Sequence, residues 1–196
     1  MEIENISEQQ IAKDIRANLE LILMENTWLL KQVNFDEVAI LVNCIRSAKH
    51  IFITAAGRSG FAMRSAAMRL MHLGLNVYFV GETTTPAILN GDLLIAASAS
   101  GTTSTIVKAA QQAKAVGAMV VAISTQEHSL LSNHADQLIL VPAAGKQDLE
   151  SNRSAQYAGS LFEQFILLLT DSVFQSLWKL EDIPAVELFK RHANLE

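Results

Sequence analysis

Between residues 50 and 141 the chain repeats one pattern, a short apolar run of strand length followed by a segment with helical period, broken only where the second run passes to the third without a helix. The runs lie at 50–55, 76–80, 92–97, 118–124 and 137–141, and the helical patterns at about 59–73, 103–116 and 128–135. None of the gaps carries a two-residue hairpin signal, so the strands cannot return antiparallel through tight turns. Strands joined by helices must run parallel and be covered on both faces. The expected fold is therefore α/β: a doubly wound, five-stranded, mostly parallel sheet.

Two helices precede this pattern. Ile11, Ile15, Leu19, Ile22, Leu23, Leu29 and Leu30 recur at helical spacing from about Ser7, a suitable N-cap, to Lys31. Asn34 caps a second helix over about 35–48, with a stripe of Val38, Leu41, Val42 and Ile45. Together they read as an N-terminal helical hairpin. After the last strand, the polar and aperiodic stretch Gly145–Arg153 reads as a mobile lid, followed by a long helix at about 155–180 and, past Pro184, a short tail. The 196 residues are expected to form one domain: a hairpin at 1–48, an α/β core at 49–142, and a C-terminal helix and tail at 155–196.

Charge and cysteine content narrow the partners. A formal net charge of −5 argues against a nucleic acid or an anionic membrane surface, both of which attract basic faces. No run of about 18 uninterrupted apolar residues occurs, as a spanning helix needs. The most apolar stretch, Phe162–Trp178, is broken by Glu163, Gln164, Asp171 and Gln175 and reads as a buried helix. Cys44 has no partner for an internal disulfide, and the acidic start Met1-Glu2-Ile3-Glu4 is unlike a secretory signal, so the expected compartment is the cytoplasm. The histidines have no metal-ligand spacing, and no metal or cofactor is expected.

Two turns carry the chemistry. Ser98-Ala99-Ser100-Gly101-Thr102-Thr103-Ser104 follows the apolar run Leu93–Ala97 and opens a helix, and Gly57-Arg58-Ser59-Gly60 does the same after the first strand. Hydroxyls and free N–H groups at a helix start, backed by the helix dipole, suit a phosphate. Both turns fall at carboxyl ends of strands, where ligands of open α/β sheets bind. The first turn lacks the lysine of a P-loop and the glycine spacing of a dinucleotide fingerprint, which leaves a small sugar phosphate. It also suits an ordinary strand-to-helix junction with Thr102 or Thr103 as N-cap, and Arg58, which could reach an anion bidentately, taken alone better suits a solvated surface position. Glu163 stands among Phe162, Phe165, Ile166 and Leu169, where partial burial would raise its pKa toward a general base's range, unless it sits paired or exposed at the stripe's edge. His192, in the charged run Lys190-Arg191-His192, reads as a solvent-exposed terminal residue unless the tail docks.

Taken together, several words resemble the SIS (sugar isomerase) superfamily and, within it, the 6-phospho-3-hexuloisomerases. They are Ala56–Gly60 (AGRSG), Ala67–Gly74 (AMRLMHLG), Val80–Thr83 (VGET), Ser100–Thr103 (SGTT), Gly159–Gln164 (GSLFEQ) and Arg191–Glu196 (RHANLE). The GRSG turn and the Ser/Thr loop mark the superfamily, whereas the MRLMHLG, GSLFEQ and HANLE words look specific to the hexuloisomerases. The resemblance implies conversion of D-arabino-3-hexulose 6-phosphate to fructose 6-phosphate in the ribulose monophosphate pathway of formaldehyde fixation. It also implies a homotetramer whose neighbouring subunits help build each site. By position it assigns Ser59 and Ser98, Ala99, Ser100, Gly101, Thr102 and Thr103 to substrate and phosphate binding, and Glu163 to proton transfer. Beyond that positional match, the chemistry of the reaction suggests Arg58, with Ser59, as an anchor for phosphate or hydroxyls, and His192, of its own or a neighbour's tail, to polarise the enediolate oxygens.

The chain departs from the family pattern in three places, one of them Thr102, which stands where the family often has Glu or Arg. Ala99 replaces a glycine, which matters if φ is positive there, and Tyr157-Ala158 replaces a Pro-Met pair ahead of the long helix. Two other functions use the same turns: another SIS isomerase, such as one acting on arabinose 5-phosphate, and a non-catalytic SIS module that senses a sugar phosphate.

Overall fold

A computed structural model describes residues 6–146 and 153–195; the centre of the expected lid, 147–152, lies outside the described residues. The elements are α1 (Glu8–Leu30), α2 (Phe35–Ser47), β1 (Ile51–Ala55), α3 (Gly57–His72), β2 (Val77–Phe79), β3 (Leu93–Ala97), α4 (Ser104–Ala115), β4 (Met119–Ser124), β5 (Gln137–Leu140), α5 (Ser160–Glu181) and α6 (Ala185–Phe189). All strand pairs are parallel, in the order β2-β1-β3-β4-β5. That is the doubly wound five-stranded sheet expected. The chain's direction of travel across it reverses between β1 and β3, so their carboxyl ends flank a topological switch point.

Side-chain alternation sorts the strands between two cores. Ile51, Ile53, Leu93, Ile95, Ala97, Val121 and Ile123 pack into the larger one with residues of α1, α2, α3 and α5. Phe52, Leu94, Ala96, Val120 and Ala122 pack beneath α4 with Ile106, Ala110 and Ala113. β3 is buried at every residue because it is central and covered twice, whereas the edge strands β2 and β5 are only partly buried.

The Ser7 and Asn34 caps form as the sequence indicates, accepting from the backbone N–H of Gln10 and Asp36. Most of the α1 stripe, however, does not face the core. Ile11, Ile15, Leu19 and Leu23 are exposed, and only its C-terminal turns bury residues, Glu25, Asn26 and Leu29. α1 lies against α5, and α2 against β5 and α5.

Three local features differ from expectation. The helix expected at 128–135 is a single 3-10 turn, Ser132–His134, held by Ser129–Ser132 hydrogen bonds. α5 begins at Ser160, because Ala158 and Gly159 both take positive φ and break the helical path. The tail carries the short helix α6 after Pro184, whose Leu188 reaches the core.

Candidate functional site

At the switch point lies an open cleft of about 920 Å³, and Gly57, Ser59, Ser98, Ser100, Thr102 and Thr103 line it. The reason an anion fits is visible in the helix caps. α1 and α2 each satisfy one first-turn N–H group with a capping side chain, but α3 and α4, which start at this cleft, have no side-chain cap bond. Thr103 occupies the N-cap position of α4, yet its hydroxyl bonds Ser98 Oγ at 3.1 Å instead. Two uncapped helix starts therefore point their free N–H groups and positive dipole ends at one space.

The loop over β3 is built to stay in place. The Ala99 carbonyl accepts three hydrogen bonds: from Thr125 N at 3.1 Å, Thr125 Oγ1 at 2.8 Å and Ser124 Oγ at 3.1 Å. Ala99 is not among the positive-φ residues, so the missing glycine there costs the backbone nothing. Gly101 is the position that needs one: its φ is +63°, and a Cβ would stand 2.2 Å from Ser129 Oγ. The Ser100 hydroxyl accepts from Thr102 N at 3.3 Å and from Thr102 Oγ1 at 3.0 Å, which closes the turn.

Glu163 sits in the first turn of α5, 7% exposed, beside the start of α3. Its burial is matched by two cations: Arg58 Nε is 3.4 Å from Oε2, and Lys146 Nζ is 3.9 Å from Oε1. Arg58 also donates to Ser160 Oγ at 3.3 Å, locking the two helix starts together. A buried carboxylate paired this way keeps its geometry, which a proton-transfer group needs. Lys146 lines the cleft and touches the carboxylate, so it bridges cradle and carboxylate.

The structure thus lines the cleft with Ser59, Ser98, Ala99, Ser100, Thr102 and Thr103; Arg58, Gly101 and Glu163 are not part of the lining, and the Arg58–Glu163 pair adjoins it through Lys146. It does not bring His192 there. His192 stacks on His72 at the far end of α3, ring centroids 4.1 Å apart. The helical rise from Ser59 to His72 puts it roughly 20 Å from the cleft of its own chain.

Sequence reasoning missed Thr125, Gln126, His128, Lys146 and Arg153, which also line the cleft. The first three follow β4, and the strand-carboxyl-end rule applied to β4 as well as to β1 and β3 would have found them. Cys44 is remote, half-buried beside Asp136; burial and then that carboxylate push its thiol above the ordinary value, which suits an inert thiol.

Residues 44–168 match the profile of the SIS domain. The chain is 49% identical to the 3-hexulose-6-phosphate isomerase of Mycobacterium gastri, over 95% of this chain and 94% of that one. It is 39% identical to the enzyme of the same name from Bacillus subtilis, over 84% and 89%. A crystal structure from Methanococcus jannaschii, whose description infers a function of 3-hexulose-6-phosphate isomerase, superimposes with TM-score 0.79 at 34% identity, covering 92% of this chain and 99% of that one.

Proposed function

The chain belongs to the SIS-domain family and to its 3-hexulose-6-phosphate isomerases, and from that premise we propose how its own residues carry the reaction. The protein is an isomerase that converts D-arabino-3-hexulose 6-phosphate to fructose 6-phosphate. Identity at 49% over nearly the whole of both chains carries the assignment. The uncapped helix starts and the buried carboxylate beside them give it a chemistry.

Moving the carbonyl from C3 to C2 takes a proton from C2, passes through an enediolate, returns a proton to C3, and shifts the O2 hydroxyl proton to O3. The 3-ketose arrives open-chain, since attack by its O5 would close a four-membered ring and its O6 carries the phosphate. Glu163 takes and returns the carbon-bound proton from one face. Ser98, Ser100, Thr102 and Thr103, with the N–H group of Ala99, hold the phosphate, while Gly101, whose own N–H donates to the Ser98 carbonyl at 3.1 Å, shapes the turn. Ser59 and Arg58 anchor phosphate or hydroxyls, and Lys146 and Arg58 orient the Glu163 carboxylate. His192 of the partner subunit polarises the enediolate oxygens.

The wider setting belongs to the same proposal: a cytoplasmic homotetramer serving the ribulose monophosphate pathway. Among the described residues no helix is long and apolar enough to cross a membrane. A coupled assay for fructose 6-phosphate formation tests the reading, with arabinose 5-phosphate as the competing substrate. Turnover of hexulose 6-phosphate with none of arabinose 5-phosphate is expected; the reverse would move the enzyme to another SIS specificity. Binding of both sugars without turnover of either would make it a sensor.

A further inference from the structure

Glu25 is an anomaly in α1. It is a carboxylate on the face that packs against the body of the protein, 8% exposed, and the ion pairs among the described residues do not include it. Burying such a group is costly unless strong hydrogen bonds compensate. The compensation comes from one tripeptide: Ser154 Oγ donates at 2.6 Å, Ala155 N–H at 2.7 Å and Gln156 Nε2 at 2.8 Å. Burial pushes the Glu25 carboxyl up, yet the bonds from Ser154, Gln156 and Ala155 together outweigh it and hold the group below its ordinary value. The network continues through Gln164 Nε2, which donates to Gln156 Oε1 at 2.7 Å, and Asn26 Nδ2, which donates to Gln164 Oε1 at 3.0 Å. Three pieces of chain are thereby tied together: α1, residues 154–156, and the first turn of α5 next to Glu163.

The residue immediately before this tripeptide is Arg153, and Arg153 lines the phosphate cleft. The rest of that lining is dominated by hydroxyls, amide groups and small apolar side chains, with His128 and Lys146 as its other basic residues. Lys146 and the neighbouring Arg58 are drawn to Glu163. A phosphate dianion held by neutral donors alone lacks a counter-charge, and a guanidinium supplies one in a geometry that matches two phosphate oxygens.

We propose that Arg153 is the cation that recognises the substrate's phosphate, and that Glu25, by clamping residues 154–156, is the residue that positions it. Arg153 touches the ligand; Glu25 acts through the backbone it fixes. The proposal rests on the sugar-phosphate reading of the cleft and makes α1 part of the binding apparatus.

Steady-state kinetics and thermal shift on the full chain test it, with hexulose 6-phosphate as substrate and inorganic phosphate as a second probe. Arg153→Gln is expected to raise KM at least tenfold with less than a threefold fall in kcat, and to abolish the thermal shift given by phosphate. Arg153→Lys should restore part of both. Glu25→Gln should raise KM threefold or more in the same direction; if that variant does not fold, Ser154→Ala removes one arm of the clamp and should raise KM more mildly. A purely structural Glu25 would lower Tm and leave KM at the wild-type value, and that result overturns its positioning role. Wild-type KM and phosphate response in Arg153→Gln overturn the proposal as a whole. If the wild-type protein itself turns over no hexulose 6-phosphate, the isomerase reading fails instead, and the phosphate shift compared between wild type and Arg153→Gln still decides the role of Arg153.

Discussion

Glu163 and Gly101 show what a single residue contributes here. Glu163 is buried beside two cations, so replacing it with the isosteric amide leaves the packing of Phe162, Phe165 and Ile166 intact while removing the proton acceptor. Glu163→Gln should lower kcat by about 10²–10⁴-fold with binding of fructose 6-phosphate retained, measured by the coupled assay and by thermal shift. Turnover near wild type would take Glu163 out of the mechanism. Gly101 contributes through having no side chain. With φ at +63° and Ser129 Oγ 2.2 Å from where a Cβ would stand, Gly101→Ala must displace either the Ser/Thr loop or Ser129. A loss of about 1–3 kcal/mol in unfolding free energy is expected by denaturant titration, together with weaker phosphate binding. Unchanged stability and affinity would show that the loop does not depend on this conformation.

At the scale of elements, what the sequence disclosed follows from where the stabilising contacts lie along the chain. β1, β3 and β4 are legible because a strand covered on both faces is apolar at nearly every position, and the caps of α1 and α2 are legible because a cap is a contact between near neighbours. The Ser98–Thr103 turn was readable for the same local reason. The start of α5 was not: residues 154–156 are held by Glu25, about 130 positions away, and no local pattern records that. Glu25 and Asn26 themselves leave a trace, as a polar pair on the line that joins Ile22 to Leu29 and Val33.

The docked tail was also invisible, since its contacts are with the end of α3. Arg191 Nη1 donates to the His72 carbonyl at 3.0 Å, and His192 stacks on the His72 ring. Burial, then the charges of His192 and Arg69, holds His72 below its ordinary value of 6.5. The unfolded chain therefore binds this proton more readily than the folded one. The stability tied to a neutral His72 is complete above about pH 6.5 and is lost as pH falls from there toward the folded-state pKa. Denaturant titrations across this range should show stability falling with acid in the wild type and a shallower fall in His72→Asn. Equal slopes in both would separate the tail's docking from His72 protonation.

For the whole molecule, the surfaces that α1 and the tail present have to be accounted for together. Ile11, Ile15, Leu19 and Leu23 form an exposed apolar line at four-residue spacing, while Phe61 and Met68 on α3 and Leu168 on α5 are exposed as well. A monomer seldom leaves so much aliphatic surface in water, and a second copy of the chain is the cover that the homotetramer reading supplies. His192 adds a geometric constraint: it lies roughly 20 Å from its own cleft, so the proposed role for it requires the cleft of a neighbour. Assembly and catalysis then become separable by mutation. On the homotetramer proposal, Ile15→Asp with Leu19→Asp should shift the sedimenting species toward smaller forms and lower activity with it, because the neighbour's tail would leave. Removing residues 190–196 should lower activity at least tenfold while the protein still folds and still sediments as an oligomer larger than a monomer. A fully active truncation in an intact oligomer would confine His192 to packing against His72. A wild-type monomer at micromolar concentration would require each cleft to work with Glu163, Arg58 and Lys146 of its own chain alone.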